Sequence, residues 1–191
     1  MKRLAIFVSG SGTNMHRIAN YFSNHPQIEI SLVVCNNPNA GAIARAKSLG
    51  IPLLMINRKS FKNPKTLIDE LYKKQIDWII LAGFLWLIPK ALIQAYPNKI
   101  VNIHPALLPD YGGKGMYGEK VHQAVINNGE KKSGITIHFV NEHYDAGAVI
   151  FQQQLELHAD ETPESLARRI HELEYKHFPE VIAQLVLKAD N

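Results

Sequence analysis

The chain has a single cysteine, Cys35. One thiol excludes an internal disulfide and any zinc site built on cysteines, and it suits a reducing compartment. No apolar run reaches membrane-spanning length, so no bilayer-crossing segment is expected. The N-terminus opens on a strand-like run, not on a charged segment followed by a long apolar one, and so carries no leader signal. Basic residues form no stripe interleaved with aromatics. The 21 Lys and Arg are scattered among 17 Asp and Glu, for a net charge of +4, which argues against a nucleic-acid partner and suits a small anionic ligand. Three motifs are also missing. No Gly-Lys-Ser/Thr occurs, which excludes a P-loop, and no G-x-S-x-G elbow is present for a Ser-His-Asp hydrolase. The third glycine of a dinucleotide fingerprint is replaced by Met15, and Cys35-Asn36 stands near where a ribose-binding acid would end the second strand. The expectation is a cytoplasmic protein without nucleic-acid or membrane partners.

What is present alternates regularly. Residues 4–8 are continuously apolar, as in a strand buried on both faces, and a glycine turn and a helical pattern through Met15, Ile18, Ala19 and Phe22 follow. Further strands are expected over 28–35, 52–56, 78–82 and 99–101. Helices are expected over 42–49, 64–74 and 89–96, the last opened by Pro89. After a glycine-rich loop come a helix over 119–127, two strands over 135–140 and 148–152, and a long final helix from Thr162 and Pro163 to about residue 187. With no repeat or linker, the 191 residues read as one α/β domain. Its sheet is mostly parallel with a mixed or antiparallel edge.

Chemistry concentrates where strands end. Asn102 and His104 are one residue apart, so in extended backbone they project from one face, where open α/β sheets bind ligands. Either could instead cap a turn. Pro105, Pro109, Gly112, Gly113 and Gly115 then make a stiff, tightly turning loop. Gly10 to Asn14 lack a full nucleotide motif, yet small residues at a helix N-terminus expose N–H groups to an anion, a phosphate monoester being the natural guest; a structural turn is the alternative. Residues 83–88 are too apolar for an ordinary loop and read as core or as a pocket wall. Asp145 is either a turn former or a partner of His104 that raises the imidazole pKa. His138, His143 and Asp145 do not have the spacing of a known metal site, and no metal is expected.

Ser-Gly-x-Gly-x-Asn at 9–14, Leu-Ala-Gly-Phe at 81–84 and Asn-Ile-His-Pro-Ala-Leu-Leu-Pro at 102–109 together resemble the phosphoribosylglycinamide formyltransferase family. Gly-Ile-Thr-Ile-His-Phe-Val at 134–140 and Tyr-Asp-x-Gly at 144–147 extend the resemblance over nearly the whole chain. It implies a doubly wound, Rossmann-like formyltransferase fold, with residues 1–100 as a phosphate-binding half and 101–191 as a catalytic, folate-binding half. It implies transfer of a formyl group from 10-formyltetrahydrofolate, as co-substrate, to the amine of glycinamide ribonucleotide in purine synthesis, by a monomer or homodimer. Asn102 and His104 would hold the oxyanion, His104 would act as the acid, and Asp145 would keep it protonated. Gly12, Thr13 and Asn14 would hold the substrate phosphate, and His171 and Glu174 its ribose. Leu85, Trp86, Leu87 and Ile88, with Asn102 and with Asn141, Glu142, His143, Tyr144 and Asp145, would line the folate pocket. Trp86 stands where some members have arginine, Pro64 falls near another basic position, and the 111–115 loop is longer and richer in glycine. A formyltetrahydrofolate hydrolase, a related folate-dependent formyltransferase and a non-catalytic phosphate-ester-binding module are the alternatives.

Overall fold

The computed structural model describes residues 1–188, so the last three positions of the expected 1–191 domain lie outside the described residues. Seven strands form one sheet: β1 (Lys2–Val8), β2 (Ile28–Cys35), β3 (Leu53–Met55), β4 (Trp78–Leu81), β5 (Ile100–His104), β6 (Lys132–Phe139) and β7 (Val149–Glu156). Their order is β3-β2-β1-β4-β5-β6-β7. The first five are parallel, and β6 and β7 add an antiparallel edge. The helices are α1 (Thr13–Phe22), α2 (Gly41–Ser48), α3 (Arg58–Lys62), α4 (Lys65–Lys73), α5 (Lys90–Ala95), α6 (Glu119–Asn127) and α7 (Pro163–Lys188).

Strand alternation divides the core in two. Leu4, Ile6 and Val8 face one side and pack with Met15, Ala42, Val121 and Ile170, from α1, α2, α6 and α7. Ala5 and Phe7 face the other and pack with Phe61, Leu71 and Leu92, from α3, α4 and α5. Burial on both faces is why β1 and β4 read as unbroken apolar runs. The strand order reverses between β1 and β4, and the crevice beyond their carboxyl ends is the usual ligand position in such sheets.

The helix expected over 64–74 is only half of what forms there. α3 precedes it, started by a reciprocal cap in which Asn57 Oδ1 accepts from Ser60 N at 2.9 Å and Ser60 Oγ accepts from Asn57 N at 3.2 Å. Asn-x-x-Ser is a weak form of the capping box, and the signal is easily passed over in sequence. Strand β6 starts earlier and strand β7 ends later than expected, because Gln153, Gln154 and Glu156 continue the ladder opposite Ile135, Gly134 and Lys132.

Candidate active site

β5 delivers Asn102 and His104 to one face, as their spacing predicts, and the antiparallel neighbour completes the pair. Asn102 lies opposite His138 in the ladder, and its Nδ2 is 3.0 Å from His138 Nε2. His138 Nδ1 is 2.8 Å from the Phe139 carbonyl, which can only accept, so the hydrogen is on Nδ1 and Nε2 accepts from the amide. This fixes the amide orientation, with Nδ2 also turned toward Asp145 Oδ1 at 3.4 Å.

His104 is 3% exposed. Its Nε2 donates to the Tyr111 carbonyl at 2.7 Å, and its Nδ1 faces Asp145 Oδ2 at 3.6 Å. Thr136 holds the loop between them, accepting from Leu108 N at 3.0 Å and donating to the Ala106 carbonyl at 2.7 Å. Gln152 Nε2 adds a bond to the Leu108 carbonyl at 2.9 Å. Neither Thr136 nor Gln152 is singled out by sequence, since each acts across the sheet.

Asp145 is brought in by the loop after β6 and adopts φ 52°, a left-handed conformation that Asp tolerates better than most residues. The Tyr-Asp-x-Gly pattern has a steric reason, because a side chain on Gly147 would run into the Phe139 carbonyl. Asp145 Oδ2 accepts the Gly113 N–H at 3.0 Å, so the glycine loop is tied to the same carboxylate. Burial pushes the Asp145 pKa up, but His138, His104 and the Gly113 N–H outweigh it and the net direction is down. His104 departs from expectation. Burial lowers its pKa by more than Asp145 and the Tyr111 carbonyl raise it, so the free imidazole is displaced toward its neutral form.

The glycine turn opens α1 at Gly12, with φ 76° and ψ 24°, no side-chain cap and no acidic residue in the first turn. The first intrahelical bond is His16 N to the Gly12 carbonyl, leaving the N–H groups of the first turn without helical acceptors. The turn is held from behind by Ala42 N on the Gly10 carbonyl at 3.2 Å and Arg45 Nε on the Ser11 carbonyl at 3.0 Å. Asn14 Nδ2 donates to Glu174 Oε2 at 2.8 Å, and the same oxygen lies 2.8 Å from His171 Nδ1. Hydrogen bonding to Glu174 raises the His171 pKa. The last helix therefore joins the first.

A cavity of about 850 Å³ brings these parts together, lined by Gly12, Thr13 and Asn14, by Asn102, His104 and Asp145, and by Leu85, Trp86 and Tyr144. His171 and Glu174 line it too. Leu87, Ile88, Asn141, Glu142 and His143 do not. Ile88 is 3% exposed and packs in the second core cluster, while Leu87 is 41% exposed on the outer surface. Asn141 is spent on its own loop, donating to the Ala146 carbonyl at 3.0 Å and accepting from His143 N at 2.9 Å. Glu142 pairs with Lys90 at 3.2 Å. His138 Nε2 lies 3.7 Å from Asp145 Oδ1, while His143 is exposed. Among the lining residues that sequence does not single out are Arg58 and His122. Arg58, on the unforeseen α3, lies over the Trp86 ring with Cζ 4.4 Å from its centroid. His122, on α6, is buried against the cavity.

Comparison with known proteins gives the same answer. Residues 2–182 match the formyl transferase family. A chloroplastic phosphoribosylglycinamide formyltransferase of Arabidopsis thaliana is 44% identical over 190 residues, covering 96% of this chain and 65% of that protein. The phosphoribosylglycinamide formyltransferase of Bacillus subtilis is 37% identical, covering 97% of this chain and 95% of that protein. The chain thus spans slightly under two thirds of the plant relative and nearly all of the bacterial one. Among solved structures, the phosphoribosylglycinamide formyltransferase of Streptococcus pneumoniae superposes with TM-score 0.86 at 35% identity, over 97% of this chain and 99% of that one. A glycinamide ribonucleotide transformylase of Geobacillus kaustophilus gives 0.87 at 37% identity, over 97% and 98%. The chain belongs to the formyl transferase family, with phosphoribosylglycinamide formyltransferases as its relatives.

Proposed function

We propose that this protein transfers the formyl group of 10-formyltetrahydrofolate to the amine of N1-(5-phosphoribosyl)glycinamide, a step of purine synthesis, in the cytoplasm. The observation that carries the reading is that Asn102, His104 and Asp145 line one cavity together with an uncapped helix N-terminus and an apolar, aromatic wall. The helix N-terminus suits a phosphate ester. The wall, with Leu85 and Trp86 and the cation of Arg58, suits a flat heteroaromatic co-substrate that carries carboxylates. The reading draws on both halves of the chain, 1–100 for the phosphate and 101–191 for the chemistry.

The co-substrate supplies an electrophilic formyl carbon bound to nitrogen. Attack by the substrate amine puts negative charge on the formyl oxygen and leaves a surplus proton on the attacking nitrogen. The second amide hydrogen of Asn102, engaged only by the 3.4 Å contact to Asp145, is left to donate to that oxygen while the first stays on His138. His104, neutral at the start, takes the amine proton at Nδ1, and the imidazolium so formed is matched by the Asp145 carboxylate beside it. Returning that proton to the departing folate nitrogen completes the transfer. His104 thus acts as a proton carrier, with burial favouring its neutral form at the start.

The test is a spectrophotometric assay with a 10-formyl folate, with and without the ribonucleotide. Folate release only when the ribonucleotide is present supports the transferase. Release without it points to a hydrolase, and binding of phosphate esters with no release in either case overturns the catalytic reading.

A further inference from the structure

Among the buried polar side chains on the cavity wall, His104 is bonded to the Tyr111 carbonyl, and Glu174 to Asn14 and His171. His122 stands apart. It is 3% exposed and lines the same cavity, yet among the described residues its ring has no hydrogen-bond partner. Nδ1 is sealed from solvent and unpaired, which leaves Nε2 as the ring nitrogen open to the cavity. Packing does not demand an imidazole here, because the buried face of α6 is otherwise made by Val121 and Val125. A polar ring kept dry and unpaired against a ligand cavity is a group reserved for the ligand.

Its neighbours say which part of the ligand it meets. The charges that act on His122 are those of Glu174, His171 and His104. The first two adjoin the glycine turn through Asn14, and the third is the reaction centre. Arg58, the charge at the Leu85–Trp86 wall, is not among them. A sealed, unpaired N–H is rarer than an unpaired acceptor, so the hydrogen sits on Nε2. Burial disfavours the charged ring despite Glu174, and the group facing the cavity is a neutral N–H donor.

We propose that His122 is a substrate-binding residue, whose Nε2–H donates to an oxygen of the ribonucleotide between its phosphate and its amine. This rests on the ribonucleotide reading of the same cavity. The test is calorimetric titration of N1-(5-phosphoribosyl)glycinamide, without folate, into the wild type, His122→Phe and His122→Gln. Melting temperatures and the KM for each substrate are measured alongside. His122→Phe is expected to weaken ribonucleotide binding about 5–30-fold, the scale of one good hydrogen bond, and to leave the formyl-folate KM unchanged. His122→Gln, which keeps a donor, recovers most of the loss. If His122→Phe does not fold, His122→Val, matched to its flanking valines, carries the same comparison. Binding within twofold of wild type in the donor-less variant overturns the inference. So does an equal weakening toward both substrates with no recovery by glutamine. A wild type that binds the ribonucleotide but transfers no formyl group refutes the proposed activity while the His122 comparison still stands. Absence of ribonucleotide binding by the wild type overturns both.

Discussion

Replacing Gly12 by alanine tests how the phosphate end of the cavity is built. At φ 76° and ψ 24° the position is left-handed, which costs an L-residue roughly 1–2 kcal/mol. The new Cβ would lie 2.6 Å from Ala42 Cβ and 2.7 Å from Ala42 Cα. Carbon atoms settle at about 3.5–4.0 Å, so the turn and α2 must part by about an ångström. Ala42 has no rotamer through which to yield. Overpacking of this kind costs about 1–3 kcal/mol. The sum is about 2–5 kcal/mol, or a fall in Tm of roughly 5–20 °C for a chain of this size. Moving the turn also moves the N–H groups of the first helical turn, and ribonucleotide affinity should fall at least about tenfold. Gly10 is the control. A Cβ there meets nothing within 4 Å, and alanine should change stability by no more than about 0.5 kcal/mol. The assays are thermal melting and calorimetric titration of the ribonucleotide. A Gly12→Ala protein that melts within 2 °C or so of wild type, or a Gly10→Ala protein as damaged as Gly12→Ala, would refute the reasoning.

Other outcomes follow from the same geometry. Asn102→Ala should lower kcat about 10²–10³-fold, as loss of an oxyanion donor does. It should also lower Tm by a few degrees, because His138 Nε2 loses its donor; near-normal single-turnover rates would remove Asn102 from the mechanism. Glu174→Gln keeps an acceptor for Asn14 but removes the charge beside His171. The raised His171 pKa should drop back toward the ordinary value, read by imidazole NMR, and the ribonucleotide KM should rise about 10–100-fold; an unmoved His171 titration would contradict the assignment. Stability should depend on pH in the acid direction. His104 and His122 have pKa values lowered by burial, so the unfolded chain takes up protons that the folded chain refuses once pH falls below the ordinary histidine value of about 6.5. Their contribution is complete above that value and is lost below it, at up to about 1.4 kcal/mol per pH unit for each group. Asp145, whose pKa is lowered, gives way only when pH falls below the carboxylate range. His171, whose pKa is raised, gains stability as pH falls through the same interval, so the comparison is made in His171→Gln; a Tm of that variant that stays constant from about pH 7.5 to 5.5 would show that these rings are not buried in neutral form.

Much of the candidate site is legible locally. The two-residue period of a strand places Asn102 and His104 on one face, and small residues before Met15 announce an exposed helix N-terminus. Other parts leave only faint signals. Asn57 and Ser60 do cap α3, yet neither apolar periodicity nor a strong capping pair marks that short helix. Of the residues expected over 85–88 and 141–145, Leu85, Trp86, Tyr144 and Asp145 line the cavity. Alternation along an irregular loop has no fixed period, so nothing in the sequence tells that Trp86 lines the cavity while Ile88 enters the core.

By itself the sequence determined the alternation of strands and helices, the glycine turn and the shared face of Asn102 and His104. Each of these depends on torsional preference and on apolar residues a few positions apart. Only the tertiary structure decided what those groups meet. The antiparallel register sets His138 against Asn102, and Glu174 reaches Asn14 across 160 positions of chain. The α6–α7 face of the cavity leaves His122 without a partner among the described residues. The protonation of His104 was decided there too. Asp145 beside it argues for charge, but desolvation acts on the whole ring and depends on every element that packs over it, and here it outweighs the single carboxylate.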